Sequence, residues 1–309
     1  MSKTAFLFAG QGAQSVGMGK ELAEAFPTAK DLFDQANTAL GYDLTDICFN
    51  GPEETLTATE NAQPGIYLVS WVAMKLLQNK VPDLKCDATA GLSLGEFTAL
   101  AAAGAMTFED GLNVVRLRGR YMQEACDETK GGMAAVINLD ADATKAVCDE
   151  AGVRIANLNC PGQIVISGEA DRIEKACELA KEKGAKRALP LIVAGAYHSP
   201  LMAGAQAKLE TTLKDVEIKT PDVPVISNVT AKEHGDSNSI RARLVEQVTG
   251  SVRWEESIRL LLDQGFDRFI ELGPGSALTG FMRRIDRSAK ILNVADTASL
   301  EKTAAEIAG

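Results

Sequence analysis

Ala88-Thr89-Ala90-Gly91-Leu92-Ser93-Leu94-Gly95 decides how this 309-residue chain is read. Residues 88–91 are small and apolar, as in a buried strand, and the Ala-rich run over 94–103 reads as a helix. A strand turning into a helix through two glycines is a building unit of an α/β sheet. The G-x-S-x-G pattern allows a sharp turn that pushes the Ser93 hydroxyl into a cleft at the helix N-terminus. A tight turn whose serine only caps the helix would leave the same trace.

Outward from that turn the pattern is consistent. Residues 5–9 form a short apolar run ending at Gly10-Gln11-Gly12, a buried strand feeding a loop. Helical patterns cover 19–26, 28–40 and 63–77, the last with Pro64 tolerated near its start. Thr107 and Asp110 open a helix that runs to about Cys126. Between 130 and 191 the order becomes strand 132–139, helix 142–150, strand 153–157, strand 163–167, helix 170–183, strand 186–191. That β-α-β-β-α-β order is the split unit of an α+β subdomain. Beyond it come helices near 200–213 and 254–264 and strands near 223–229 and 268–272. Gly273-Pro274-Gly275 then leads into a last long helix. The expected fold is an α/β core, residues 1–129 plus 194–309, with a small subdomain, residues 130–193, inserted.

Composition narrows the function. With 32 basic and 42 acidic side chains the net charge is −10, which disfavours non-specific binding to nucleic acid or to an anionic membrane. Hydrophobic residues at 46% and charged residues at 24% exclude a disordered chain. No apolar run approaches the ~20 residues of a membrane span. The six cysteines are scattered without a C-x-x-C pair and there are two histidines, so a metal site has no support. Free thiols without a secretory signal point to a reducing compartment, the cytoplasm. Gly10-x-Gly12 lacks the third glycine and the spaced acid of a dinucleotide fingerprint.

A serine hydroxyl needs a base to become a nucleophile. His234, in Lys232-Glu-His-Gly-Asp-Ser-Asn238, is expected on an exposed polar loop. His198 follows an apolar run and precedes Ser199-Pro200, an N-cap and N1 pair, so it stands where a strand ends and a helix begins. His198 is the candidate base; a packed or capping histidine is the alternative.

At this point a family resemblance becomes visible. Gly10-Gln11-Gly12, Gly91-Leu-Ser93-Leu-Gly-Glu96, Arg116-Leu-Arg118-Gly119, Asn157-Leu-Asn159-Cys-Pro-Gly-Gln163, Gly195-Ala-Tyr-His198-Ser-Pro and Glu271-Leu-Gly-Pro-Gly275 fall in chain order across nearly the whole sequence. Together they resemble the malonyl-CoA:acyl carrier protein transacylase family. The resemblance implies an α/β-hydrolase-like core with an inserted ferredoxin-like subdomain. It implies transfer of malonyl from coenzyme A to the phosphopantetheine thiol of acyl carrier protein for fatty-acid synthesis, with no bound cofactor, by a monomer. Ser93 would be acylated and His198 would be general base and acid. The backbone N–H groups of Gln11 and Leu94 would form the oxyanion hole, and Arg118 would hold the malonyl carboxylate. The backbone carbonyl of Gln247 would orient the histidine, and Asn157, Asn159 and Tyr197 would line the pocket. One departure is Leu92, where the family commonly carries histidine.

The residues add their own reasons. Leu94 opens a helix after Ser93 and presents its N–H there, and the glycines flanking Gln11 allow close backbone approach. At about 100° per residue, Leu112, Val115, Gly119, Met122 and Cys126 form one stripe, and Arg118 lies roughly 70° from its centre against about 130° for Arg120. Arg118 therefore borders the buried face, as a carboxylate clamp or as a structural arginine. The clusters Lys186-Arg187 and Arg283-Arg284-Arg287 read as solvated surface or as docking charges for an acidic carrier. Competing readings are a free-standing polyketide-type acyltransferase loading malonyl or methylmalonyl, an esterase or thioesterase with the same dyad, and a non-catalytic carrier-binding scaffold. A bulky Tyr197 argues against an α-methyl substrate, Arg118 against a general esterase, and the Ser93–His198 pair against a scaffold.

Overall fold

The computed structural model describes residues 2–308. Its strands, in chain order, are β1 (Thr4–Phe8), β2 (Ala88–Gly91), β3 (Gly131–Ile137), β4 (Arg154–Cys160), β5 (Gln163–Glu169), β6 (Arg187–Pro190), β7 (Val225–Ile226), β8 (Arg268–Leu272) and β9 (Lys290–Val294). Five of them make a parallel sheet in the order β7-β2-β1-β8-β9. The other four make an antiparallel sheet in the order β4-β5-β3-β6. The molecule is thus a mixed α/β protein with one sheet of each kind.

The central strand β1 is buried at all five positions, because helices cover both faces of a parallel sheet. Its alternating side chains part accordingly. Phe6 and Phe8 enter a large core with Ile66, Val69 and Phe97, while Ala5 and Leu7 meet Trp254, Ile258, Leu261 and Met282 on the other face. In the antiparallel sheet, Ala134, Val136 and Ile166 pack under the helices Ala141–Ala151 and Ala170–Glu182. The opposite face, with Met133, Ala135 and Val165, turns toward the cleft between the sheets. Val252 stitches the two parts together, donating to the Ala156 carbonyl (2.8 Å) and accepting from Leu158 N–H (2.9 Å).

Three local expectations change. The expected strand over 223–229 is only the two residues of β7, because Ser227 and Asn228 leave the ladder toward the site. The helix over 63–77 runs Thr59–Lys80, so Pro64 lies within it rather than near its start. The single long helix expected after Gly275 is the helix Ala277–Ile285, then β9, then the helix Thr297–Ala308. Asp286 starts a turn whose Ser288 N–H donates to its side chain (2.7 Å), and Lys290-Ile-Leu-Asn-Val294 then adds an edge strand to β8. Among the described residues no helix is long and apolar enough to cross a membrane.

Candidate active site

The loops that follow β1, β2, β7 and β8 all leave the parallel sheet at its carboxyl end, the usual place for a site in such a sheet. The loop after β2 carries Ser93. A Cβ on Gly91 would lie 1.9 Å from the Gly95 carbonyl, and one on Gly95 would lie 2.2 Å from the Phe8 carbonyl oxygen. Glycine at both positions is therefore a condition of the turn. Ser93 itself takes φ 52° and ψ −102°, a strained conformation for a residue with a Cβ. Asn228, just after the neighbouring strand β7, stabilises it: its Oδ1 accepts from Ser93 N–H (2.6 Å) and its Nδ2 donates to the Gly91 carbonyl (2.7 Å).

Ser93 Oγ lies 2.8 Å from His198 Nε2. On its other side the imidazole faces two carbonyls, Gln247 O at 2.8 Å and Gly250 O at 3.1 Å from Nδ1. Only a protonated Nδ1 satisfies two acceptors, so Nε2 is the bare nitrogen and accepts from the serine hydroxyl. Among the described residues no carboxylate touches this ring; backbone carbonyls orient it. His198 is 4% exposed. Burial, then the neighbouring Arg118 charge, push it down to about 4, with the two carbonyls opposing. At neutral pH it is an unprotonated base.

Arg118, on the helix Phe108–Glu128, lies beneath Ser93 and is 1% exposed. Its Nη2 donates to Ser93 Oγ (3.1 Å) and Gln247 Oε1 (2.9 Å), and its Nη1 to Gln63 Oε1 (2.7 Å). The guanidinium also sits 5.3 Å over the Phe97 ring, and its Nε has no partner among the described residues. Burial lowers it to about 10, with the Glu96 charge opposing, so it remains a cation at neutral pH. From Arg118 a directional chain of bonds leads to the loop after β1. Gln63 Nε2 donates to Gln11 Oε1 (3.3 Å), and Gln11 Nε2 donates to Tyr197 OH (3.3 Å). Tyr197 and Thr59 then share a hydroxyl contact of 2.6 Å. The N–H groups of Gln11 and Leu94 have no acceptor among the described residues.

A cleft of about 1150 Å³ opens above Ser93. Gln11, Asn157, Asn159, Tyr197 and His198 line it, both asparagines coming from β4, where the register is irregular. Arg118 and Gln247 form the layer below. Leu92 lines the cleft beside Ser93, so an apolar side chain borders the serine there. Lys186, Arg187, Arg283, Arg284 and Arg287 are exposed. Arg284 donates to the Pro161 carbonyl (2.7 Å) and to Gln163 Oε1 (3.2 Å) at the cleft rim. No group of three His, Cys, Asp or Glu side chains suited to a metal occurs among the described residues.

Sequence reasoning missed several members of this cluster. Asn228, Gln63 and Gly250 carry no local signal, since each meets the site only through tertiary contact. His234 corrects an expectation: its side chain is not exposed but fully buried, with Nε2 at 2.7 Å from Glu96 Oε1.

A serine at a strand–helix turn, an unprotonated imidazole on its oxygen and free N–H donors nearby describe an acyl-transferring serine–histidine protein, and the chain belongs to the acyl transferase domain family, which matches residues 5–306. Within that class it is similar to the malonyl CoA-acyl carrier protein transacylase of Bacillus subtilis (strain 168), 49% identical over 306 residues covering 97% of this chain and 96% of that one. Among solved structures it resembles the malonyl CoA-acyl carrier protein transacylase of Coxiella burnetii, with TM-score 0.96 and 36% identity over 100% of this chain and 98% of that one. It also resembles a malonyl-transacylase solved in complex with its type II PKS acyl-carrier protein, with TM-score 0.95 and 39% identity over 99% and 100% of the two chains.

Proposed function

We propose that the protein transfers malonyl from malonyl-CoA to the phosphopantetheine thiol of acyl carrier protein, for fatty-acid synthesis, through an ester on Ser93. The observation that carries this reading is one oxygen atom with two neighbours: Ser93 Oγ has an unprotonated imidazole at 2.8 Å and a buried guanidinium at 3.1 Å. The imidazole makes the oxygen nucleophilic. The guanidinium gives an incoming carboxylate a partner in a place where an unpaired one would be costly.

Malonyl-CoA enters with its carboxylate toward Arg118, displacing the guanidinium's contact with Ser93. Ser93 Oγ attacks the thioester carbonyl while His198 Nε2 takes its proton. The oxyanion that forms meets the N–H groups of Gln11 and Leu94, each donor in such a hole typically contributing about 2.7–4 kcal/mol. As the C–S bond breaks, His198 returns the proton to the departing coenzyme A thiolate. In the second half His198 deprotonates the carrier's thiol, the thiolate attacks the serine ester, and Ser93 recovers the proton. Gln247 and Gly250 carbonyls stabilise the imidazolium at each transfer. Tyr197, held by Thr59 and Gln11, crowds an α-methyl group and favours malonyl over methylmalonyl.

In the same reading the parallel sheet is an α/β-hydrolase-like core, residues 1–129 with 194–309, and the antiparallel sheet is a ferredoxin-like subdomain, residues 130–193, that walls the cleft. The basic clusters Lys186-Arg187 and Arg283-Arg284-Arg287, the latter reaching the cleft-lining Gln163 through Arg284, serve as docking charges. The cysteines are all free, and burial holds Cys48, Cys86 and Cys148 at about 12 and Cys126 at about 11, in keeping with a cytoplasmic enzyme.

Intact-protein mass spectrometry after incubation with malonyl-CoA tests the function. We expect one malonyl adduct on Ser93, absent from Ser93→Ala and discharged by holo-acyl carrier protein. An adduct on cysteine, or release of malonate without transfer, would refute the reading.

A further inference from the structure

Behind the nucleophile lies a buried carboxylate–histidine pair that the chemistry above does not use. Glu96, in the first turn of the helix after Ser93, is completely buried. Its Oε1 accepts from His234 Nε2 (2.7 Å) and from Asn228 N–H (3.2 Å), and its Oε2 accepts from Gln247 Nε2 (2.6 Å). Three donors thus converge on one carboxylate. The His234 Nδ1 is buried without a partner among the described residues. A carboxylate oxygen only accepts, so His234 anchors Glu96 by donating through Nε2.

The consequence falls on Gln247. Its amide nitrogen faces two acceptors, Glu96 Oε2 and the Ser93 carbonyl (2.9 Å), and its amide oxygen faces Arg118 Nη2 (2.9 Å). A glutamine amide can turn over, exchanging donor for acceptor at little cost in shape. The carboxylate forbids the exchange here, because turning would set oxygen against oxygen on one side and N–H against guanidinium on the other.

We infer that Glu96, anchored by His234, is a positioning residue: it fixes the Gln247 amide in the one orientation that holds Arg118, and so sets selectivity for an acyl group ending in a carboxylate from behind the nucleophile. This rests on the malonyl-transfer reading for its substrate, though not for its geometry. Simple charge balance makes the opposite forecast. Glu96 opposes the Arg118 charge, so neutralising it would strengthen attraction for a malonyl carboxylate.

The test uses Glu96→Gln, His234→Phe and His234→Gln in the full-length protein, each first checked for folding by thermal melting. The readout is the ratio of kcat/KM for malonyl-CoA to that for acetyl-CoA. Glu96→Gln, nearly isosteric, should lower the ratio at least tenfold through the malonyl term, with acetyl transfer within about threefold. His234→Phe removes the anchoring donor and should lower it in the same direction; His234→Gln restores a neutral N–H donor and should return the ratio to within about twofold. A rise in the malonyl term, a parallel fall for both acyl groups, or an unchanged ratio in Glu96→Gln would overturn the inference. A crystal structure of Glu96→Gln gives a readout independent of any substrate: Arg118 Nη2 leaving Gln247 Oε1 supports the inference, and an unmoved pair refutes it. If the wild-type protein fails to charge the carrier with malonyl, the proposed function falls and the structural readout still decides this point.

Discussion

At Ser93 the hydroxyl oxygen lies between a neutral imidazole and a cation, and those two neighbours act on each other. Arg118 is the second cause, after burial, of the low His198 value of about 4 against an ordinary 6.5. Between those two values the unfolded chain takes up a proton that the folded chain refuses. Stability from this residue is therefore full above pH 6.5 and is lost as pH falls toward 4, at about 1.4 kcal/mol per pH unit. The catalytic counterpart is an acid limb of kcat/KM with its midpoint near 4, so activity should hold through pH 6. Arg118→Ala removes a positive neighbour and should move that limb upward, measured with acetyl-CoA; a limb already at 6.5 in the wild type would mean a solvated imidazole. The same variant tests selectivity. Removing one partner of a buried charged pair typically costs about 2–5 kcal/mol, so kcat/KM for malonyl-CoA should fall roughly 30- to several-thousand-fold. Acetyl-CoA brings no carboxylate and should lose little. Lysine at 118 should recover only part, because a point charge does not reproduce the fork that now reaches Gln63, Gln247 and Ser93. Equal losses for both substrates would make Arg118 a structural residue.

At the scale of elements, the strand–turn–helix around Ser93 stands on backbone contact. Gly95→Ala would place a methyl carbon 2.2 Å from the Phe8 carbonyl oxygen, which is rigid backbone of the central strand. Overpacking of this kind typically costs about 1–3 kcal/mol, and relief requires the helix Leu94–Ala102 to move off β1. The expected outcome is a lower melting temperature together with loss of acylation out of proportion to it, because Ser93 moves with the helix; unchanged acylation would show that the helix yields elsewhere. This element was legible in the sequence because its signal is local: two glycines, one serine and apolar flanks within eight residues. Arg118 was legible in part, since helical periodicity brought it to the edge of the buried face, yet periodicity could not reveal that its two outer partners are glutamines 55 and 129 residues away. Asn228 and His234 were opaque for the same reason. His234 sits in a run of polar residues that reads as solvent-facing, and only the buried Glu96, 138 residues away in sequence, turns it inward. The extra strand β9 was missed because Lys290-Ile-Leu-Asn-Val294 is short and follows a helix without glycine or proline between them. Its partner β8 supplies what the local pattern lacks.

For the whole molecule, the proposed function asks a chain of net charge −10 to receive a carrier that the basic clusters fit if it is acidic. Like charges repel at long range, so association depends on where the minority cations stand. Lys186 and Arg187 lie at β6, the outer strand of the antiparallel sheet, and Arg287 follows the helix that lines the cleft's opposite side. Other roles exist for some of them: a basic residue on an edge strand discourages pairing with another sheet, and Arg283 and Arg284 favour the C-terminal end of their helix. The test therefore reverses Lys186, Arg187 and Arg287 to glutamate and spares Arg284, whose bonds to Pro161 and Gln163 shape the rim. A control reverses Lys214, Lys219 and Lys232, which are exposed, lie outside the two basic clusters and change the net charge equally. Malonyl-pantetheine serves as donor, so that no nucleotide phosphate competes for the cations. The rim variant should raise the apparent KM for carrier protein severalfold beyond the control while acylation of Ser93 by the donor is unchanged. The difference should shrink as salt rises, since exposed charges are screened beyond ~8 Å at physiological ionic strength. If rim and control variants respond alike, net charge alone governs the encounter and the rim cations are solvated surface.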